Sequence, residues 1–218
     1  MWLVLASTSP RRRELLSLLH IPFEVRAPLC EELMPPQRSA GDLVADFARV
    51  KADSVAAQEP QSLILASDTL IECDNVAVGK PRDLAEARSI LRDLAGRAHL
   101  VKTAVSAVCR DRLFQATEIS TAQVWMKPFD EKVHERYLAT EDSLGKAGAY
   151  SIQGLGAELI ERLEGDFTTV VGFPLRVVAR LLEQGGMAVP VDVDTLYISR
   201  PYGTWSRFPQ IEMEKGFS

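Results

Sequence analysis

Short apolar runs alternate with helix-spaced apolar positions along most of the chain. Trp2-Leu3-Val4-Leu5-Ala6 is long enough for one buried strand. Ser9 and Pro10 then read as an N-cap and a first-turn proline, and Leu15, Leu16 and Leu19 are spaced like one face of a helix. Ile21 to Val25 predicts a second strand, followed by a loop marked by Pro28, Pro35 and Pro36. Ser39-Ala40-Gly41-Asp42 resembles a capping box and opens a helix to about Ala57, with Leu43, Phe47 and Val50 on one face. Ser62 to Ala66 is a strongly apolar strand that runs into Ser67-Asp68-Thr69, and Leu70–Cys73 with Val76–Val78 predicts a hairpin across Asp74-Asn75.

A helix from Leu84 to Leu94, ended by Gly96, comes next. Two long Val/Thr/Ala-rich strands, His99–Cys109 and Phe114–Met126, are joined by a turn at Arg110-Asp111-Arg112. A helix from Glu131 to about Ala139, a loop at 141–145, a strand from Glu158 to Leu163, a turn at Gly165-Asp166 and a helix from Arg176 to Gln184 complete the pattern. After Gly185-Gly186 no helix period is visible. Residues 187–218 therefore predict a tail outside the core, although Tyr197, Trp205 and Phe208 suggest that part of it packs.

A length of 218 residues predicts one large domain or two small lobes, and 46% hydrophobic residues predict a proper core. Lys and Arg number 25 against 30 Asp and Glu, a net charge of −5, which argues against a nucleic-acid or membrane-surface binder. Any phosphate binding must then come from a local basic cluster such as Arg11 to Arg13. Cys30, Cys73 and Cys109 are far apart and form no Cys-x-x-Cys, so neither a disulfide framework nor a zinc site is expected, which fits a reducing cytoplasm. No signal peptide is expected, and no apolar stretch approaches the roughly 20 residues that span a bilayer.

Several polar residues sit where they need a reason. Three arginines occupy the first turn of the first helix, the end at which cations are unfavourable by about 0.3–1 kcal/mol each. A bound anion removes the conflict, and hydroxyls, backbone N–H groups and guanidinium forks together make a phosphate site; the alternative is a solvated basic helix start. Lys51 lies about 40° from Phe47 around its helix, so it either snorkels to the edge, the commoner outcome, or points at an anion. Asp68 follows a buried strand, where it serves as a metal ligand, as a base, or simply as a turn former. Glu31-Glu32 is either a solvated pair or, if its loop returns to the basic turn, a divalent-metal site. Gly79-Lys80-Pro81 is not a Walker A loop, because Asp74 and Pro81 stand where Gly and Ser/Thr are needed. Gly145, Gly148, Gly154 and Gly156 imply close backbone approach, but Leu159 replaces the third glycine of a dinucleotide fingerprint.

Taken together, Ser-x-Ser-Pro-Arg-Arg (Ser7 to Arg12), Ser67-Asp68-Thr69, Gly79-Lys80-Pro81 and Lys146-Ala147-Gly148-Ala149-Tyr150-x-Ile152-Gln153-Gly154 occur in the order of the Maf family. These are nucleoside triphosphate pyrophosphatases, also called septum formation inhibitors. The resemblance covers about residues 1–185, so the chain divides into a Maf-like domain at 1–186 and a C-terminal tail at 187–218. Arg11, Thr69 and Gln153 match the branch acting on dTTP and UTP rather than the one acting on 7-methyl-GTP.

The resemblance implies an α/β fold: an elongated mixed sheet flanked by helices, in two lobes with a central cleft, similar to inosine triphosphatases. It implies cleavage of dTTP, UTP and modified pyrimidine triphosphates between the α- and β-phosphates, dependent on Mg2+ or Mn2+. Asp68 would be the general base, and Arg11, Thr69 and Gln153 would set base preference. Ser7, Arg12, Lys51, Lys80 and Lys146 would bind phosphates, and Glu32 with Asp68 would hold the metal. A cytoplasmic homodimer acting in nucleotide pool cleaning and cell-division arrest is also implied. The residue types suit the chemistry, since attack on a charged phosphorus needs charge neutralisation above all.

Two positions depart from the family pattern. Gly145 stands where Asp is usual before Lys-Ala-Gly, and Ser151 where Gly is usual before Ile-Gln-Gly. The first leaves open how Lys146 is held, and the second asks whether the backbone at 151 needs positive φ. These departures and the long tail keep two other readings in view: a nucleotide-binding regulator of cell division without turnover, and a 7-methyl-GTP-type preference.

Overall fold

The computed structural model describes residues 1–29 and 38–209. A seven-stranded mixed sheet carries the molecule, built from β1 (Leu3–Ala6), β2 (Phe23–Arg26), β3 (Leu63–Cys73), β4 (Val76–Val78), β5 (Ala98–Cys109), β6 (Phe114–Met126) and β7 (Ile160–Glu164). Its order is β2-β1-β3-β5-β6-β7, with β4 paired to β3 beyond the others. β1 lies parallel to both β2 and β3, while the β3-β5-β6-β7 pairings are antiparallel. The helices are α1 (Pro10–Ser17), α2 (Ala40–Ala56), α3 (Leu84–Leu94), α4 (Glu131–Leu138), α5 (Phe167–Val171), α6 (Leu175–Gln184) and α7 (Val193–Ser199).

Side-chain alternation along the strands sorts the core into two faces. Val4, Ala6, Ile64, Ala66 and Val108 pack under α2 against Ala52, Val55 and Ala56. Further along the same face, Leu70 and Ala104 meet Leu43, Val44, Phe47 and Ala48. The odd-numbered positions Leu3, Leu5, Leu63 and Leu65 point the other way, into a larger core with Leu15, Leu16, Leu91, Phe173 and Leu181. The helix starts follow their sequence signals. Ser9 caps α1 by accepting from Arg12 N at 3.5 Å, Ser39 caps α2 by accepting from Asp42 N at 3.0 Å, and Asp83 caps α3 by accepting from Glu86 N at 2.8 Å.

Three expectations change. The apolar run at 62–66 does not end before Ser67-Asp68-Thr69: β3 continues without a break to Cys73, because Ser67, Asp68 and Thr69 pair with Val105, Ala104 and Thr103 of β5. The turn at Gly165-Asp166 opens a short helix, α5, that the sequence reading did not anticipate. The expectation of a tail outside the core does not hold for the described part of residues 187–218. There α7 forms, and Tyr197, Tyr202, Trp205 and Phe208 enter the main core, with Trp205 stacked on Phe167 at 5.5 Å. The physical reason is that four aromatic rings carry enough apolar surface to bury without any helical period.

Candidate active site

β1 stops at Ala6, level with Ala66, while β3 runs seven residues further. Beyond that end the turn Ser7-Thr8-Ser9 leaves the sheet and enters α1. The sheet is thus notched, and the centre of β3 forms the floor of a cleft of about 800 Å³. The turn and the start of α1 line one side of this cleft, and residues 142–154 line another. Ser7, Arg11, Arg12, Lys51, Asp68, Thr69, Lys80, Lys146 and Gln153 all face it. Glu32, with Cys30, Glu31, Pro35 and Pro36, lies outside the described residues.

Alternation along β3 sends Asp68 to the α2 face, where Lys51 meets it. The two side chains form an ion pair that is almost wholly buried, at 3% and 9% exposure for Asp68 and Lys51 respectively. Lys51 therefore does not snorkel. Its stem lies in the apolar arc of α2 beside Phe47, Ala48 and Ala52, and its ammonium finds a carboxylate at the floor of the cleft. Burying two charges is unfavourable unless they are paired and hydrogen-bonded, so the pair fixes the Asp68 carboxylate in place.

Ser67 and Thr69 point to the opposite face. There the carbonyl of Gly172, at the C-terminus of α5, accepts from Ser67 Oγ at 2.9 Å and from Arg12 Nε at 3.0 Å. Gly172 has φ +103°, and a Cβ on it would lie 3.0 Å from Thr69 Oγ1, so glycine suits this position on both counts. Thr69 Oγ1 lies 2.9 Å from Thr103 Oγ1, which donates to the carbonyl of Thr169 at 2.7 Å. A hydroxyl has one hydrogen. Because Thr103 has committed its hydrogen to a carbonyl, Thr69 must donate to Thr103, and Thr69 therefore offers lone pairs to the cleft.

Around the rim, Arg11 Nη1 donates to Ser151 Oγ at 3.3 Å, and Ser7 Oγ accepts from Ser9 N at 3.1 Å. Arg13, the third arginine of the run, is exposed outside the cleft lining. Lys146 Nζ donates to Asp142 Oδ1 at 2.6 Å. Lys146 thus pairs with a carboxylate four residues before it in the loop. The Lys80 turn is tied to the same segment, since Gly148 N donates to the carbonyl of Gly79 at 3.0 Å. Gly148 has φ +69°, and a Cβ there would meet Ile71 Cδ1 at 2.3 Å. Ser151, by contrast, does not adopt positive φ, so a side chain is tolerated there. Below this loop, Tyr150 is buried with its hydroxyl 2.8 Å from His99 Nε2, and burial pushes its phenol above the usual value.

Sequence reading missed Gly172, Thr103 and Asp142. Thr103 resembles any β-favouring threonine in a Val/Thr/Ala strand, and Gly172 acquires meaning from α5, a helix too short to announce itself. Asp142 had a usable signal, its i,i+4 spacing to Lys146.

An α/β sheet notched at its centre, with a buried carboxylate–lysine pair beneath a rim of arginines and lysines, defines a site for an anionic, phosphate-bearing ligand. A Maf-like protein family model matches residues 2–185, and the chain belongs to that family. It is 41% identical over 182 residues to a dTTP/UTP pyrophosphatase of Bacillus velezensis, covering 84% of this chain and 95% of that protein. Proteins of the same name from Vibrio parahaemolyticus, 39% identical over 183 residues (84% and 96% covered), and Salinibacter ruber, 41% over 181 residues (83% and 89%), are similarly related. Among solved structures, the Staphylococcus aureus Ham1 protein superposes with a TM-score of 0.43 at 13% identity, covering 92% of this chain and 97% of that one.

Proposed function

We propose that this chain is a pyrophosphatase that cleaves dTTP and UTP between the α- and β-phosphates, giving the monophosphate and pyrophosphate. One observation carries the proposal most directly: the buried Lys51–Asp68 pair lies on the floor of a cleft whose rim holds Arg12, Lys80 and Lys146. The names of the relatives support the choice of substrate.

In this reading the triphosphate lies along the cleft. Arg12, oriented by the Gly172 carbonyl, and the backbone and hydroxyl of the Ser7 turn hold its phosphates together with Lys80 and Lys146. Asp68 takes a proton from the attacking water, the α–β bridge breaks, and the cationic rim stabilises the charge that builds on the departing pyrophosphate. Lys51 holds the Asp68 carboxylate in the orientation in which it takes that proton. In the same cleft, Arg11, Thr69 and Gln153 read the base. The lone pairs that Thr69 offers suit the N–H of a uracil or thymine ring.

Magnesium and manganese take oxygen ligands, commonly one or two carboxylates completed by substrate phosphates. Asp68, a carboxylate beneath a phosphate-binding rim, fits such an ion, and Glu32 is the second ligand we propose. When bound, the ion would neutralise charge on the phosphate oxygens. Two buried free thiols, Cys73 and Cys109, fit a reducing cytoplasm. No helix among the described residues is long and apolar enough to cross a membrane. Sedimentation equilibrium tests the homodimer implied by the family: twice the chain mass is expected, and the single-chain mass would contradict it.

The test of function is pyrophosphate release from a panel of triphosphates with magnesium or manganese. Turnover of dTTP and UTP well above that of purine triphosphates is expected. Nucleotide binding without release would instead make the chain a regulator.

A further inference from the structure

Two adjacent arginines of α1 are held by different parts of the fold. Arg12 is oriented by the Gly172 carbonyl, whereas Arg11 Nη1 donates to Ser151 Oγ at 3.3 Å, 140 residues away in sequence. Ser151 is 5% exposed and lines the cleft together with Arg11 and Gln153. Its Oγ also accepts from the backbone N–H of Gln153 at 3.3 Å. One hydroxyl thus touches two of the three residues that read the base in the proposed mechanism.

That hydroxyl is itself fixed. The bond from the Gln153 N–H selects one side-chain rotamer at Ser151. Thr204 Oγ1 donates to the carbonyl of Ile152 at 2.6 Å and holds the strip from behind. A hydroxyl oxygen has two lone pairs, and the two donors occupy both. Arginine is a planar fork on a flexible stem, so a bond to one N–H restrains the plane of the others. With Nη1 engaged by Ser151, the remaining N–H groups of Arg11 are left for a ligand in the cleft, and they can only donate. Uracil and thymine offer two carbonyl oxygens to such donors. Cytosine replaces one of them with an amino group, which also donates. Glycine, the residue usual at 151 in the family, cannot make this contact.

We propose that Ser151 is a positioning residue for base selection: its hydroxyl aims the Arg11 guanidinium and sharpens this chain's preference for uracil and thymine over cytosine. The inference rests on the reading above, in which Arg11 faces the base.

The test compares UTP with CTP in wild type, Ser151→Ala, Arg11→Ala and the double variant, with equilibrium binding of UMP and CMP and the Tm read alongside. Ser151 does not adopt positive φ, so alanine fits its backbone and removes the hydroxyl alone. Ser151→Ala is expected to lower the UTP-over-CTP ratio of kcat/KM about fivefold, the size of one net hydrogen bond. The change should fall in KM for UTP rather than in kcat, with a parallel fall in the UMP-over-CMP binding ratio. Ser151→Gly is expected to do the same. In the Arg11→Ala background, Ser151→Ala should change the ratio by less than about twofold, because its effect passes through Arg11. A larger further fall there would overturn the proposal. A ratio within about twofold of wild type in Ser151→Ala, while Arg11→Ala lowers it, would overturn the role of Ser151 and leave the base reading intact. A ratio unmoved in Arg11→Ala would remove the base reading of that residue and the inference with it. An equal loss for both nucleotides, or a fall in Tm without a change in ratio, would show a structural role and overturn the proposal.

Discussion

Lys51 shows how much a single residue decides. Its place in the apolar arc of α2 was visible from periodicity, but snorkelling and burial look alike in sequence. What distinguishes them is the carboxylate across the gap, on a strand that follows the helix in the chain. Removing one partner of a buried pair leaves an uncompensated charge, which costs about 3–5 kcal/mol. Lys51→Met is expected to lose stability on that scale in urea unfolding, together with most pyrophosphate release. A stability change under about 1 kcal/mol would mean that Asp68 does not depend on Lys51.

At the scale of elements, the strands and long helices were legible because their periods and caps were strong. β5, β6 and α3 lie within a residue of where the apolar pattern put them. β3 was harder to delimit, since Ser67-Asp68-Thr69 reads locally as a break. The ladder to β5, thirty-odd residues away, carries it through. Four motifs also foretold most of the residues that line the cleft. The hydroxyl relay through Thr103 and the Gly172 carbonyl did not show, because each depends on elements brought together by the fold. The packing of the C-terminal segment was signalled by Tyr197, Trp205 and Phe208 and by nothing periodic; Tyr197 also donates its hydroxyl hydrogen to half-buried Asp166 at 2.8 Å. Trp205, 2% exposed, anchors the segment. Trp205→Ala is expected to destabilise the protein by about 3–5 kcal/mol in denaturant unfolding, whereas a near-neutral effect would make the segment an appendage.

Over the whole molecule, pH should act through His99. It is buried, its Nδ1 has no hydrogen-bond partner among the described residues, and burial lowers its pKa from 6.5 to about 4. In acid the unfolded chain takes up a proton that the folded chain refuses. Stability from this group is therefore full above pH 6.5 and declines as pH falls towards 4, by about 2 kcal/mol at pH 5. Urea unfolding at pH 7 and pH 5 checks this: wild type should lose about 2 kcal/mol more stability than His99→Gln between the two pH values. Equal slopes would assign the acid sensitivity elsewhere. Opposing this, burial pushes the Asp166 carboxyl up, a contribution shared by both proteins and absent from their difference.

The account as a whole turns on Asp68. The most direct measurement is pyrophosphate release from dTTP and UTP by wild type and by Asp68→Asn, with magnesium and with manganese. Asparagine keeps the shape of the side chain but cannot take the proton, so kcat is expected to fall by about 10²–10⁴-fold while the variant stays folded. Turnover undiminished in Asp68→Asn would contradict the assignment of Asp68 as the base and would require the proton to leave by another route.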